Sequence, residues 1–232
     1  MSEQTYEVAK PILDKNDRLA SELRDIYARH GVYVVNLLSG PGAGKTSTIL
    51  ATIKALSDRY RVAVIEGDIA SDVDAQKVKA NGAAAAVQIN TGGLCHLEGA
   101  MIERAVKALD LDATDLIIIE NVGNLVCTVD FDLGESLRAM ILSVPEGDDK
   151  PLKYPGIFQS CSAVIVNKID TLPVFDFDQD TFARELDQLN PNAHLFKISA
   201  TKGEGVQEWA DFLARNIEAA KAAKADQAGE TE

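Results

Sequence analysis

Several short stretches of this chain combine residue types that do chemistry. In LLSGPGAGKTS, Gly40, Gly42 and Gly44 allow successive backbone N–H groups to turn inward, Lys45 adds a cation and Thr46 a hydroxyl. Such a turn opening a helix cradles β- and γ-phosphates on its amides, with the hydroxyl available to Mg²⁺. Ser39 stands at the head of the loop, where the strict pattern has glycine. In VNKID, Asn167, Lys168 and Asp170 form the arrangement that selects guanine over adenine. Asp170 can accept from the base's N1–H and exocyclic amine, a donor pair adenine lacks, while the Lys168 stem lies over the ring. Further on, ISATKGEG sets Ser199 and Ala200 after a strand-like run, where the Ala200 amide can meet the guanine oxygen.

Two apolar runs end in acids. VIEGDIASDVDA offers Asp68, Asp72 and Asp74, and IIIENVGN offers Glu120 followed by Gly123. An acid at the tip of a buried strand can hold metal-bound water, and a glycine lets its N–H approach a γ-phosphate. Glu120 and Asp68 are therefore assigned to Mg²⁺ and the attacking water, and Gly123 to sensing hydrolysis. A solvated loop carboxylate or helix cap is the competing reading for each acid, most of all for Asp72.

TGGLCHLEGA places Cys95 beside His96 after a glycine pair, in a chain with only 3 Cys and 3 His. Thiolate and imidazole together suit a borderline or soft cation, Zn²⁺ or Ni²⁺, and the irregular backbone lets adjacent residues ligate together. Cys127, in NVGNLVCT, is the second thiol such a site needs. That set is short of four ligands, which a water or a second protomer would complete. The same residues equally suit a core thiol beside a hydrogen-bonded histidine. A nucleophilic Cys95 is disfavoured, because phosphoryl transfer needs no covalent intermediate. Cys161 reads as a small buried hydrophobe, and His30 and His194 as structural.

These residues need a scaffold that brings loop ends together. The runs VYVVNLLS, RVAVIEGD, AAAAVQIN, DLIIIEN, SAVIVNK and AHLFKIS alternate with helical patterns such as residues 46–56 and 98–109. That alternation predicts an α/β fold: a single-domain P-loop NTPase, mostly parallel sheet with helices on both faces. An amphipathic helix leads it, with Leu19, Leu23, Ile26 and Tyr27 at helical spacing and a stop at His30–Gly31. The expected organisation is a helical extension over residues 1–30, a nucleotide-binding domain with the metal site over 31–220, and a disordered tail over 221–232. PEGDDKPLKYP, Pro145 to Pro155, reads as a surface loop.

With 232 residues and a formal charge of −13, the chain has a surface that repels phosphate backbones and anionic lipid, so neither nucleic acid nor membrane is an expected partner. The polar start MSEQTYEVAK and the scattered thiols point to the cytoplasm.

Taken together, GPGAGKT, EGDIASDVDA, TGGLCHLEGAMIERAVKAL, IIENVGNLVC, KYPGIF, VNKID and ISATKGEG resemble the HypB family over residues 31–213. These are the nickel-incorporation GTPases of nickel-iron hydrogenase maturation, within the SIMIBI class of P-loop GTPases. Ser39 is shared with that family. The resemblance implies Mg²⁺-dependent hydrolysis of GTP to GDP and phosphate. It implies nucleotide contacts from Gly42, Ala43, Gly44, Lys45, Thr46 and Ser47, and guanine contacts from Asn167, Lys168 and Asp170. Mg²⁺ or water duties fall to Thr46, Asp68, Asp74 and Glu120, and a Ni²⁺ or Zn²⁺ site to Cys95, His96 and Cys127. It further implies a GTP-favoured homodimer with metals at the interface, a HypA-type nickel chaperone as partner, and the hydrogenase large-subunit precursor as recipient. The chain departs from many relatives in three respects: no Cys precedes Cys95, Ser71 stands where Thr is usual, and Thr128 where Pro often follows the Cys. Rival readings are an accessory GTPase for urease, like UreG, or for a cobalamin enzyme, and a non-hydrolysing metal storage or sensing module. The Cys-His pair with a later Cys argues for HypB.

Overall fold

The computed structural model describes residues 3–68 and 78–229, with side chains over 12–67 and 78–226. Helix α1, Glu3–His30, leads into β1, Tyr33–Ser39, and then α2, Lys45–Leu56. Strands β2, Val62–Asp68, and β3, Ala85–Asn90, precede α3, Gly99–Val106, and β4, Leu116–Glu120. After β5, Leu137–Ser143, come two short helices, α4, Lys150–Lys153, and α5, Pro155–Ser160, then β6, Ala163–Asn167. Helix α6, Gln179–Leu189, β7, His194–Lys197, and α7, Val206–Gly229, complete the described chain. The described strands form one sheet in the order β3-β2-β4-β1-β5-β6-β7, every pair parallel.

Because strand side chains alternate between faces, the apolar runs of β1 and β4 feed two cores at once. Val35, Leu37, Val64 and Ile118 meet Ile49 and Ile53 of α2 and Trp209, Leu213 and Ile217 of α7. Val34, Ala63, Ile65, Ile117 and Ile119 meet Leu23 and Tyr27 of α1 and Ile102 and Val106 of α3. A third apolar cluster joins Met140, Leu142, Val164 and Val166 to Phe158, Phe182 and Leu186. Trp209, fully buried, donates its indole N–H to Thr52 Oγ1 at 3.1 Å, locking α7 onto α2.

The expected fold class is the one observed, with three local differences. Strand β5, Leu137–Ser143, lies outside the apolar runs that the sequence predicts as strands. Arg138 interrupts its apolar pattern, and only tertiary partners, Glu135 and the carbonyls of Val129 and Phe131, make a half-buried arginine tolerable there. Pro145 to Pro155 is not simply a loop: a 3₁₀ turn over Val144–Glu146, capped where the Glu146 carboxylate accepts from the Ser143 amide and hydroxyl, is followed by α4. Helix α7 continues to Gly229, beyond the point where a tail was expected. Lys221 reaches Asp115 at 2.8 Å and Lys224 donates to the His30 carbonyl at 3.2 Å, contacts that composition alone cannot reveal.

Candidate functional site

The C-terminal ends of β1, β4 and β6 gather the candidate residues, at the crevice where parallel sheets bind ligands. Ser39, fully buried at the end of β1, donates to the Gly40 carbonyl at 2.6 Å and accepts from Lys45 Nζ at 2.9 Å. The serine thus aims the lysine over the loop. Gly44 caps α2 with φ 98°, and a Cβ there would lie 2.5 Å from Asn167 Nδ2, so only glycine allows the phosphate loop to approach the β6 corner. Ala43 is buried beneath it, and Ser47 continues the first turn of α2.

Thr46 Oγ1 donates to Glu120 Oε1 at 3.2 Å, bringing together the hydroxyl and the acid proposed for Mg²⁺. Both are oxygen donors of the kind Mg²⁺ takes, and Glu120 is only 9% exposed. In register beside Glu120 on β2 lies Glu66, a 2% exposed acid that sequence reading passed over within VIEGD. Asp68 ends β2 two residues further on, but its side chain lies outside the described ones, as do Asp72, Asp74 and Ser71 altogether. Gly123 rests on the phosphate loop: a Cβ would be 3.2 Å from Pro41 Cα and 3.4 Å from Lys45 Nζ. The segment after β4 is thus in direct contact with the phosphate loop.

At the corner after β6, where the sequence places guanine contacts, Asn167 bonds to the protein itself. Its Nδ2 donates to the Ala43 carbonyl at 3.0 Å, and its Oδ1 accepts from the amides of Lys168 at 2.8 Å and Ala200 at 3.2 Å. It pins three loops at 2% exposure. Lys168, alone among described non-glycine residues in having positive φ (61°), donates Nζ to the Gly42 carbonyl at 2.8 Å. Asp170 is exposed, and its Oδ1 accepts from the buried Ser199 hydroxyl at 2.6 Å, a bond that fixes the orientation of the carboxylate.

Cys95 and His96 lie in the irregular segment between β3 and α3, as the glycine pair predicts. Cys95 Sγ is 3.7 Å from His96 Nδ1, and the imidazole stacks on Phe131 with centroids 3.8 Å apart. His96 Nε2 is 3.4 Å from Glu98 Oε1. Cys127 sits in a turn built by Asn124, whose Oδ1 accepts from the amides of Val126 at 2.7 Å and Cys127 at 2.9 Å, while its carbonyl accepts from Thr128 Oγ1 at 2.8 Å. Thr128 does here what no proline could, since its hydroxyl closes the turn. A hydrogen bond with the Cys95 thiol pushes the Cys127 pKa up, so the two thiols, distant in sequence, are neighbours. Among the described residues no three His, Cys, Asp or Glu side chains converge as a ready metal cage. Two thiols and a stacked imidazole form an incomplete set, with exposed Leu94 and Val126 flanking them. Cys161, in contrast, is 1% exposed in the third apolar cluster, where burial pushes its thiol up to about 12. His30 bonds Asp112 at 2.9 Å and His194 packs on Phe212, both away from the site.

A family model described as "CobW/HypB/UreG, nucleotide-binding domain" matches residues 33–197. The hydrogenase maturation factor HypB of Azotobacter vinelandii is 46% identical over 90% of this chain and 68% of its own length. This chain belongs to the HypB group of that family. The hydrogenase/urease maturation factor HypB of Helicobacter hepaticus is 43% identical over 92% of this chain and 88% of its own. The crystal structure of HypB from Helicobacter pylori in complex with nickel superposes with a TM-score of 0.83 at 40% identity, covering 88% of this chain and 95% of that one. A HypB chain of this kind carries the P-loop GTPase architecture, and no described helix is long and apolar enough to cross a membrane.

Proposed function

We propose that this chain is a cytoplasmic, GTP-hydrolysing nickel metallochaperone that carries Ni²⁺ on Cys95, His96 and Cys127 and hands it, with a HypA-type partner, to a nickel-iron hydrogenase large-subunit precursor. The nickel-bound Helicobacter relative supports nickel as cargo. The observation that carries the reading is the continuity of one segment: Glu120 bonds the P-loop threonine, Gly123 packs on Pro41 and Lys45, and the same stretch ends at Cys127 beside Cys95.

Backbone amides of the phosphate loop and Lys45 hold the β- and γ-phosphates, and Asp170 selects the base. Thr46 and Glu120, with Asp68 and Asp74 as further candidates, are the residues for Mg²⁺, which when bound neutralises charge developing on the phosphates. Gly123 offers its amide toward the γ-phosphate, so loss of that phosphate frees the segment. The incomplete thiol set is completed by a second copy of the chain, whose flanking Leu94 and Val126 supply exposed apolar surface for a GTP-favoured homodimer. Hydrolysis then loosens the grip on nickel. By linkage, nickel must change nucleotide affinity by the factor that nucleotide changes nickel affinity.

Nickel titration of the chain with GDP and with a non-hydrolysable GTP analogue, read by native mass spectrometry, tests this by counting protomers and ions together. Tighter binding by a dimer in the analogue-bound form is expected, and equal Ni²⁺ affinities in the two states overturn it. The urease-linked Helicobacter relative favours one second reading, in which the recipient is a urease apoprotein. Nickel transfer assays with each purified apoenzyme separate the two.

A further inference from the structure

On one face of β1, between apolar Val34 and Leu38, stands Asn36, fully buried. An apolar side chain would pack there at lower cost, because a buried amide must find partners for its donors and acceptor. Asn36 finds them in both directions. Its Oδ1 accepts from Asn121 Nδ2 at 3.2 Å, and its Nδ2 donates to Glu135 Oε1 at 3.2 Å. Asn121, 1% exposed, directly follows Glu120, and its Oδ1 accepts from the Leu97 amide at 3.3 Å, next to His96. Glu135, 9% exposed, receives Arg138 Nε at 2.8 Å and the Leu133 amide at 2.7 Å. Arg138 in turn donates Nη1 to the Val129 carbonyl at 2.9 Å and Nη2 to the Phe131 carbonyl at 3.3 Å. Val129 lies two residues past Cys127, and Phe131 stacks on His96.

The chain of bonds therefore closes a ring. From the end of β4, one branch reaches His96 through Leu97. The other crosses beneath the sheet's central strand and holds the loop that carries Cys127 and the Phe131 ring. We propose that Asn121, Asn36, Glu135 and Arg138 are positioning residues that make the aim of Cys127 and His96 depend on where nucleotide holds the end of β4. This rests on the nickel–nucleotide coupling argued above, and supplies its physical path. A network of buried and half-buried side chains bonded to one another has few alternative arrangements, so a shift at Glu120 and Asn121 is passed on instead of absorbed.

The test uses the full-length, metal-free chain. The rate at which N-ethylmaleimide modifies Cys127, located by peptide mass, is compared between GDP and GTP-analogue forms. The variants are Asn36→Leu, which cuts the ring at its centre, and Arg138→Lys, which keeps charge but loses the paired grip on two carbonyls. Asn190→Ala, which removes a distant pin on the Phe158 and Cys161 carbonyls, controls for general loosening. In the parent chain the two nucleotide states should differ by about fivefold or more. In both relay variants that ratio should fall to within about twofold of one, with unstimulated GTP turnover within about threefold of the parent, while the control keeps it. A ratio retained in both relay variants, or lost equally in the control, overturns the relay and leaves the coupling standing. A parent chain whose rate ignores nucleotide overturns both. Should Asn36→Leu fail to fold, Arg138→Lys decides alone.

Discussion

Asn167→Ala separates a residue that touches the base from one that holds the base's surroundings in place. The substitution deletes three hydrogen bonds at a site 2% exposed: Nδ2 to Ala43 O, and the amides of Lys168 and Ala200 to Oδ1. At a net value of about 1 kcal/mol each, the apo protein should lose about 3 kcal/mol. In differential scanning calorimetry the loss appears as a fall of about 6–12 °C in melting temperature, at roughly 2–4 °C per kcal/mol for a chain of this size. Guanine nucleotide must then order two loops that Asn167 no longer joins, so GDP affinity should drop about tenfold or more. Ligand stabilisation shrinks with it, and the gap to the parent chain widens when GDP is added. If Asn167 served the base alone, the apo melting temperature would stay within about 2 °C and only the GDP arm would move; that result refutes the pin.

Other outcomes follow from the same geometry. Asp170→Asn leaves Ser199 a partner but removes the charged acceptor for two guanine donors, so competition binding should show GTP losing about tenfold or more against xanthosine triphosphate. Gly123→Ala forces a methyl to 3.2 Å from Pro41 Cα, and stopped-flow binding should show weaker GTP-analogue affinity with GDP affinity less affected. Burial pushes Asp115 up, but hydrogen bonds from Arg61 and Lys221 outweigh it and hold the carboxyl at about 2. A depressed carboxylate contributes stability that is fully present above its unfolded value near pH 4 and lost as pH falls through about 2. Asp115→Asn should therefore lower stability at pH 7 by roughly 1–2 kcal/mol after screening of its exposed cationic partners, and urea melts should show the difference vanishing toward pH 2.

Much of this protein is legible residue by residue because its chemistry is local. The phosphate loop needs only consecutive amides at a helix start, and Lys168-x-Asp170 needs only one strand end. The alternating apolar runs compel a doubly covered parallel sheet, since strands buried on both faces have no polar side to show. Pairings across the chain are another matter. That Asn167 meets Ala43, that Cys127 comes to rest against Cys95, and that Asn36 joins Asn121 to Glu135 depend on which strands lie side by side. Strand β5 escaped notice because Arg138 spoils its pattern until Glu135 and two loop carbonyls satisfy it, and α7 outran its apolar anchors because Asp115 and the end of α1 wait for its lysines. A side chain's type sets the bonds it can make. Which of them it does make, and so whether it contacts a ligand or steadies the residue that will, is decided only when the folded sheet fixes its neighbours at hydrogen-bonding distance.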